Sequence, residues 1–235
     1  MPLPKISATI FTTVLPTNQA KVSFRAMQAR EDRMLLQLKV SEPTDSEILT
    51  TLTQVVQACV LDEKFVAIEH PVVDIEWLFL QIRSKSVSDI ANVSYVDRSD
   101  NKTYDFEIPL AKVTSVVPNA NNLIKVDDTI VFEMKWPTVA DTIAVADLPP
   151  VDVAHQLGAR SIVRVYDGDD VSETKDVPYE EVEEFINSLP LKAYQEVMDY
   201  LAQTPQLNYE IKYVNSKQES REIRLTTLND FFTFA

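Results

Sequence analysis

The chain has 235 residues, 45% of them hydrophobic, and a formal net charge of −14 at pH 7. This length and apolar content suffice for one or two domains with a buried core, so a chain that is disordered throughout is excluded. The acidic charge, without any cluster of lysines and arginines, argues against binding to duplex nucleic acid or to an anionic membrane surface. The acid excess favours solubility or a basic protein partner.

Two scarce residue types exclude several classes of site. Gly158 and Gly168 are the only glycines, so the chain cannot form a glycine-rich phosphate loop or a G-x-S-x-G nucleophile elbow. The single cysteine, Cys59, permits neither an intrachain disulfide nor a cysteine cage for zinc, and we interpret it as a small core residue. No secretory signal and no membrane-spanning run is visible, so we expect a cytosolic protein.

The first 136 residues predict an N-terminal hairpin, three helices and further strands. The spacing of Thr44 and Glu47 is that of a capping box, which opens the second helix. The central helix carries an apolar stripe at i, i+3, i+4 and i+7 from Ile75 to Ile82, which predicts deep burial. The predicted ranges are a hairpin over 6–15 and 20–25, helices over 30–40, from 44 onwards and over 72–85, a hairpin over 92–97 and 103–110, and strands within 113–117 and 122–136.

The C-terminal part predicts two helices and a third hairpin. Residues 138–158 are ambiguous, and residues 160–166 fit either a strand or the end of a helix. Two apolar stripes separated by Pro190 predict an α-hairpin, and the segments 207–214 and 221–225 predict a β-hairpin. The prolines at 149 and 150 predict a boundary between two lobes.

Together these patterns predict an α+β fold. We expect a helical core, formed by the central buried helix and the C-terminal α-hairpin, with three β-hairpins. The N-terminal α+β lobe would span residues 1–148, and the C-terminal lobe, with the α-hairpin, the β-hairpin and an aromatic tail, would span 149–235. The second and third hairpins are weakly similar in sequence, which fits either duplication or shared stability requirements.

None of the polar clusters has a pattern typical of catalysis or metal binding. His70 and His155 lack carboxylate or cysteine neighbours at ligand spacing. Asp167, Asp169 and Asp170 start like a calcium loop, but its closing glutamate is missing. The glutamates between residues 180 and 184 fit a solvated helix face better than an acid–base pair across a cleft. We therefore predict a protein that is not an enzyme and that has no cofactor and no metal.

The aromatic tail is the best candidate for a functional site. Phe231, Phe232 and Phe234 are the candidate partner-binding residues. Aromatic side chains near the end of a chain either dock on the protein's own core or insert into a groove of a partner. We favour docking on the protein's own core, and the partner groove stays open as the alternative.

Five stretches resemble, in the same order, the baseplate hub assembly proteins of T-even-type contractile-tailed bacteriophages. They are MPLPK, VSFRAMQAREDRMLLQLKV, LFLQIRSKSVSD, PYEEVEEFINSLPLKAYQEVMDYLAQTPQLNYEIKY, and the tail with Leu225, Leu228, Asp230, Phe231 and Phe232. Many members of that family carry C-x-x-C pairs at hairpin turns. Here residues 97–102 and 215–220 contain no cysteine, so a zinc role does not carry over and we expect plain turns. Thr227 also replaces the usual glycine, which indicates a distant member.

The resemblance implies a late protein of viral tail assembly that works only through protein–protein interaction. It would bind hub or central spike proteins of the phage baseplate as an assembly chaperone, in the host cytoplasm during assembly. The alternative is an integral minor structural subunit of the virion baseplate. Nucleic acid, membrane and small-molecule substrates are not expected as partners.

Overall fold

The structure is a computed structural model that describes residues 7–232. Helices and antiparallel strands alternate along the chain, as the predicted mixture of α and β structure requires. The helices are α1 (Ala29–Val40), α2 (Asp45–Cys59), α3 (Val72–Ser86), α4 (Val139–Ala144), α5 (Pro150–Ser161), α6 (Tyr179–Asn187), α7 (Leu191–Ala202) and α8 (Leu228–Phe231). The strands are β1 (Ile10–Val14), β2 (Lys21–Arg25), β3 (Ile90–Asp97), β4 (Lys102–Pro109), β5 (Thr114–Val116), β6 (Leu123–Lys125), β7 (Ile130–Met134), β8 (Ile162–Asp167), β9 (Asp170–Glu173), β10 (Gln206–Val214) and β11 (Ser220–Leu225).

The chain forms two compact units. Unit 1 takes the described residues up to Val116 together with those from Gln206 onwards, and unit 2 is Val117–Pro205. This division differs from the predicted boundary between residues 148 and 149. The reason is a strand pairing: Gln206 of β10 lies opposite Val116 of β5, which brings the last hairpin and α8 into unit 1. A pairing between such distant stretches leaves no local signal in the sequence.

Helix α3 is the central element of unit 1. Its apolar stripe is fully buried, and it packs against α2 and contacts β10. Helix α2 begins with the predicted capping box, because Thr44 Oγ1 accepts the Glu47 amide at 3.2 Å and the Glu47 carboxylate accepts the Thr44 amide at 2.8 Å. Cys59 is buried at the end of α2, and burial raises the pKa of its thiol to about 11.

Each of the three predicted β-hairpins forms an antiparallel strand pair in unit 1, namely β1–β2, β3–β4 and β10–β11. The second and third hairpins contact each other, since the ring of Tyr213 lies 4.9 Å from that of Tyr104 and 5.3 Å from that of Phe106. The predicted set was incomplete, because unit 2 contains a further antiparallel sheet in the order β6-β7-β8-β9.

Unit 2 packs this sheet and three helices around one apolar cluster. Phe132 on β7 is fully buried in the cluster, and Trp136 stacks on Tyr200 with ring centroids 4.2 Å apart. Helices α6 and α7 follow each other as the predicted α-hairpin would, and both pack against α5. The predicted helical core that combines this pair with the central helix is not confirmed, because α3 belongs to unit 1 whereas α6 and α7 belong to unit 2. Gly158 permits this packing, because a Cβ there would lie 3.0 Å from side-chain atoms of both Ile186 and Val197.

Helix α5 lies in a region that the sequence left ambiguous. Pro149 and Pro150 were interpreted as a breaker pair, whereas Pro150 is the first residue of the helix, a position that needs no amide donor. Both interpretations of residues 160–166 hold in part, since α5 ends at Ser161 and β8 begins at Ile162. Within residues 7–232, none of the helices combines the length and the apolar character required to cross a bilayer.

Candidate partner-binding site

The described part of the aromatic tail, Phe231 and Phe232, belongs to unit 1. Phe231 is 1% exposed and belongs to the core of the unit, whereas Phe232 is partly buried and packs edge-on against Phe79 of α3, with ring centroids 6.2 Å apart. Phe234 lies outside the described residues. Of the two described candidate residues, Phe231 is therefore a core residue, and Phe232 is partly exposed.

Two carboxylates hold the short helix α8 in place. Glu76 of α3 accepts the amide of Leu228 at 2.9 Å, and Asp230 accepts the amides of Thr226 and Thr227 at 2.7 and 2.9 Å. These bonds satisfy amide groups at the start of α8, which have no partner within the helix. Burial raises the pKa of Glu76 to about 7; the Leu228 amide opposes this shift and the charge of Asp230 adds to it.

A groove of ≈540 Å³ lies beside the docked tail. We call it the tail groove. Its walls come from α1, the end of α3, the segment that leads into β3, and the tail itself. The lining residues are Met27, Asp32, Leu35, Leu36, Lys39, Phe79, Arg83, Val87, Ser88, Ile90, Ala91, Asn92, Phe231 and Phe232. The tail groove thus combines apolar side chains with one acidic and two basic ones.

Arg83 is the unusual charged residue of the tail groove. Its Nη1 is buried and has no hydrogen-bond partner among residues 7–232. The guanidinium carbon lies 5.4 Å from the centroid of the Phe232 ring, which is a cation–π geometry. Burial lowers the pKa of Arg83, and the carboxylate of Asp32 opposes that shift. Buried polar atoms without a hydrogen-bond partner are uncommon in native structures, so this buried donor calls for an explanation.

The rim of the tail groove exposes large apolar side chains. Leu36 on α1 is 54% exposed, Val87 after α3 is 62% exposed, and Ile90 at the start of β3 is 38% exposed. Exposed apolar residues also occur elsewhere in the chain, and an exposed apolar residue by itself needs no explanation. Here three of them border one concave surface that also contains a buried unpaired donor. This combination is typical of protein–protein contacts.

The turns of the second and third hairpins are joined by side chains. Asn215 Nδ2 donates to Ser99 Oγ at 2.8 Å and to Asp97 Oδ2 at 3.3 Å, and Arg221 Nε donates to the same Asp97 oxygen at 3.3 Å. Hydrogen bonds, first that from the Ser99 amide, hold the pKa of Asp97 at about 2. The hairpins close through ordinary turns, and this polar contact, here called the hairpin clasp, additionally joins the two turns to each other.

The other polar candidates from the sequence stay apart. His70 stacks on Phe65 and lies 3.8 Å from Asp74 in unit 1, whereas His155 contacts the Tyr194 hydroxyl in unit 2. The aspartates at residues 167–170 lie at the β8–β9 turn. Across the described part of the chain, no three histidine, cysteine or acidic side chains are grouped as a metal site would require.

Sequence reasoning identified the tail but missed the residues that receive it. Neither Glu76 nor Arg83 has a spacing that marks it as a site residue, and a cation such as Arg83 suits the end of any helix. Both contact residues about 150 positions further along the chain. The signal in the sequence that could have indicated them is that Glu76 and Arg83 are charged residues beside the apolar stripe of α3.

Comparison with known proteins identifies one family. A family model described as T4 bacteriophage base plate protein matches residues 7–233, which is nearly the whole chain. Neither the curated proteins nor the solved structures yield a match. The match spans both units, the central helix and most of the aromatic tail. The chain therefore belongs to the T4 bacteriophage base plate protein family.

Proposed function

We propose that the chain is a non-enzymatic binding protein that acts on hub or central spike subunits while the phage baseplate is built. The observation that carries this proposal is the tail groove, where exposed apolar residues border Arg83, a partly buried residue whose Nη1 is buried and has no hydrogen-bond partner among the described residues. Membership of the baseplate family gives the class of partner, since baseplate proteins function by contacts with one another.

The perturbed acidic groups support a binding role rather than catalysis. Strongly shifted carboxylates are often catalytic candidates. Here Glu31 is paired with Arg25, Asp97 belongs to the hairpin clasp, and Glu76 accepts the first amide of α8. Each of these carboxylates has a structural partner that accounts for its environment.

The more specific proposal is an assembly chaperone. In this role the protein covers an interaction surface of a hub or spike subunit in the host cytoplasm and leaves before the particle is complete. The net charge of −14 keeps such a carrier soluble and limits its self-association. The second candidate is an integral minor subunit of the baseplate, and the family description, which names a base plate protein, is compatible with either role.

Co-expression with the hub and spike subunits of the same phage tests the proposal. We expect one of these subunits to co-purify with the chain, and absence of all of them from the purified complex would contradict a binding role. Mass spectrometry of purified particles then separates the two candidates. Stoichiometric presence supports the integral subunit, whereas absence from particles, together with failed baseplates when the gene is deleted, supports the chaperone.

A further inference from the structure

We propose that the tail groove receives an apolar segment of a baseplate subunit, and that a carboxylate on this segment pairs with Arg83. The inference rests on the proposed function and adds the chemistry of the partner and the place where it binds. It follows from three features of the tail groove, which are an unsatisfied donor, a local charge opposite to that of the whole chain, and an apolar rim.

The first feature is the unsatisfied donor. A buried guanidinium nitrogen that lacks an acceptor is destabilising, and any ligand that supplies an acceptor recovers this loss. A carboxylate suits the position best, because its two oxygens match the planar fork of a guanidinium. The Phe232 ring lies 5.4 Å from the guanidinium carbon in a cation–π geometry. A carboxylate binds in the plane of the guanidinium at its N–H groups, so Nη1 can donate to this partner while the contact with Phe232 remains.

The second feature is charge. Lys39 and Arg83 line the tail groove with a single acidic residue, Asp32, which leaves a local excess of one positive charge. The chain as a whole carries −14. An acidic segment is therefore repelled by most of this protein and attracted at this groove, which selects one binding position. A basic segment would be attracted to other, acidic parts of the surface and repelled at the tail groove.

The third feature is the apolar rim of Leu36, Val87 and Ile90. The exposed fractions of these side chains range from 38% to 62%, so a bound segment removes much apolar surface from water. A groove of ≈540 Å³ accommodates a few side chains rather than a whole domain. The partner is thus a short stretch in which apolar residues flank an aspartate or glutamate.

Binding measurements with the purified hub and spike subunits test the position of the site. We expect Arg83→Gln and Lys39→Glu each to weaken binding at least about tenfold, because each removes the charge that attracts the segment. Lys39 is exposed, so its variant folds even if the Arg83 variant does not. Arg98→Gln is the matched control, since Arg98 is an exposed cation of unit 1 outside the tail groove, and we expect it to bind as the wild type does.

A photo-crosslinking residue at Leu36 identifies the occupant, with the same residue at Val66, an exposed position of unit 1 away from the groove, as the control. We expect crosslinks from position 36 to a subunit segment that contains an acidic residue among apolar ones. Crosslinks from 36 only to a second copy, or only to residues 233–235 of the same chain, overturn the inference. Full binding by both charge variants also overturns it but leaves the proposed function intact, which fails only if the wild type binds none of the subunits.

Discussion

The two units are stabilised by different chemistry. The buried charged residues found between residues 7 and 232 all lie in unit 1, and they are Arg25, Glu31, Asp74 and Asp97. Unit 2 instead has an apolar cluster around Phe132, with stacked and edge-on aromatic pairs. Its buried polar residues, Thr138 and Ser161, are uncharged.

This difference follows from how each unit is assembled along the chain. Unit 2 is one continuous stretch, so nonspecific apolar burial is sufficient to bring its elements together. Unit 1 combines two stretches, and contacts such as Asn215 with Asp97 join residues 118 positions apart. A buried charge requires a partner of opposite charge or a hydrogen-bonding group, because an uncompensated buried charge lowers the free energy of unfolding. The buried polar contacts of unit 1 thus favour one arrangement of its distant segments.

The two tryptophans allow each unit to be followed separately. Trp77 of α3 donates to Thr13 Oγ1 in unit 1, and Trp136 stacks on Tyr200 in unit 2. Replacing one tryptophan by phenylalanine leaves the fluorescence of the other as a reporter of its own unit. Unfolding curves in denaturant, recorded with each single-tryptophan protein, are the measurement for the first two predictions.

The largest effect is expected in unit 2. Phe132→Ala should lower the free energy of unfolding reported by Trp136 by about 4 kcal/mol, since it removes a fully buried ring from the apolar cluster. Val171→Ala is the control, because Val171 is exposed on β9, and its effect should stay within about 0.5 kcal/mol. An equal loss reported by Trp77 would contradict separate stabilisation of the two units.

The next effect concerns the buried ion pair of unit 1. Glu31 accepts two hydrogen bonds from Arg25, at 2.8 and 3.2 Å. Glu31→Ala leaves the buried guanidinium without a carboxylate, with only the carbonyls of Ala26 and Ala58 and the Cys59 sulfur as partners, so we expect a loss of about 3 kcal/mol reported by Trp77. Glu42→Ala, at an exposed position, is the control. The double variant R25M/E31L removes both charges and should recover part of the loss, although the Gln28 amide still lacks its acceptor. No recovery at all would mean that the unpaired charge does not determine the effect.

A smaller effect is a dependence on pH that should be confined to unit 1. Because burial raises the pKa of Glu76 to about 7, its contribution is fully present below its ordinary value near 4.5 and is lost as the pH rises through 7. We expect about 2 kcal/mol less stability at pH 8 than at pH 5. Glu76→Gln keeps an acceptor for Leu228 and should abolish this difference. A difference that persists in the variant would exclude Glu76 as its source.

Glu31 adds an opposite dependence at lower pH. Burial alone would raise its pKa, but hydrogen bonds from Arg25, Gln28 and Arg30 prevail and lower it to about 2. Its contribution is therefore present above pH 4.5 and is lost as the pH falls from 4.5 towards 2. Together with Glu76, this places the stability maximum of unit 1 near pH 5.

The smallest effect is expected at the hairpin clasp. Asn215→Ala removes the donor that joins Asp97 and Ser99, and we expect a loss of about 1–2 kcal/mol. Asn92→Ala is the control, because Asn92 is an exposed residue of the same hairpin pair. Hydrogen exchange of the turn amides measures the effect locally. Unchanged exchange at residues 97–102 would show that the clasp does not stabilise the turns.

Local sequence patterns predicted the elements better than their assembly. The capping box at Thr44, the stripe of α3 and the alternating hairpins depend on neighbours within a few positions, so periodicity and turn residues identify them. The pairing of β10 with β5 and the contact of Glu76 with Leu228 depend on residues 90 to 152 positions apart. The tail could therefore be recognised as a candidate, but Arg83, Lys39 and the tail groove could not.

In the sequence, unit 2 is inserted between the two stretches that form unit 1, and this order has a consequence for synthesis on the ribosome. Val116 and Gln206 are paired residues on adjacent strands. The two ends of the 89-residue stretch between them, Val117–Pro205, therefore lie close together. During translation this stretch emerges complete while β10, β11 and α8 are still missing. Unit 2 can thus reach its native state first, and unit 1 closes only after β10, β11 and α8 have followed it. The tail groove, whose lining includes Phe231 and Phe232, is therefore completed after unit 2 has emerged.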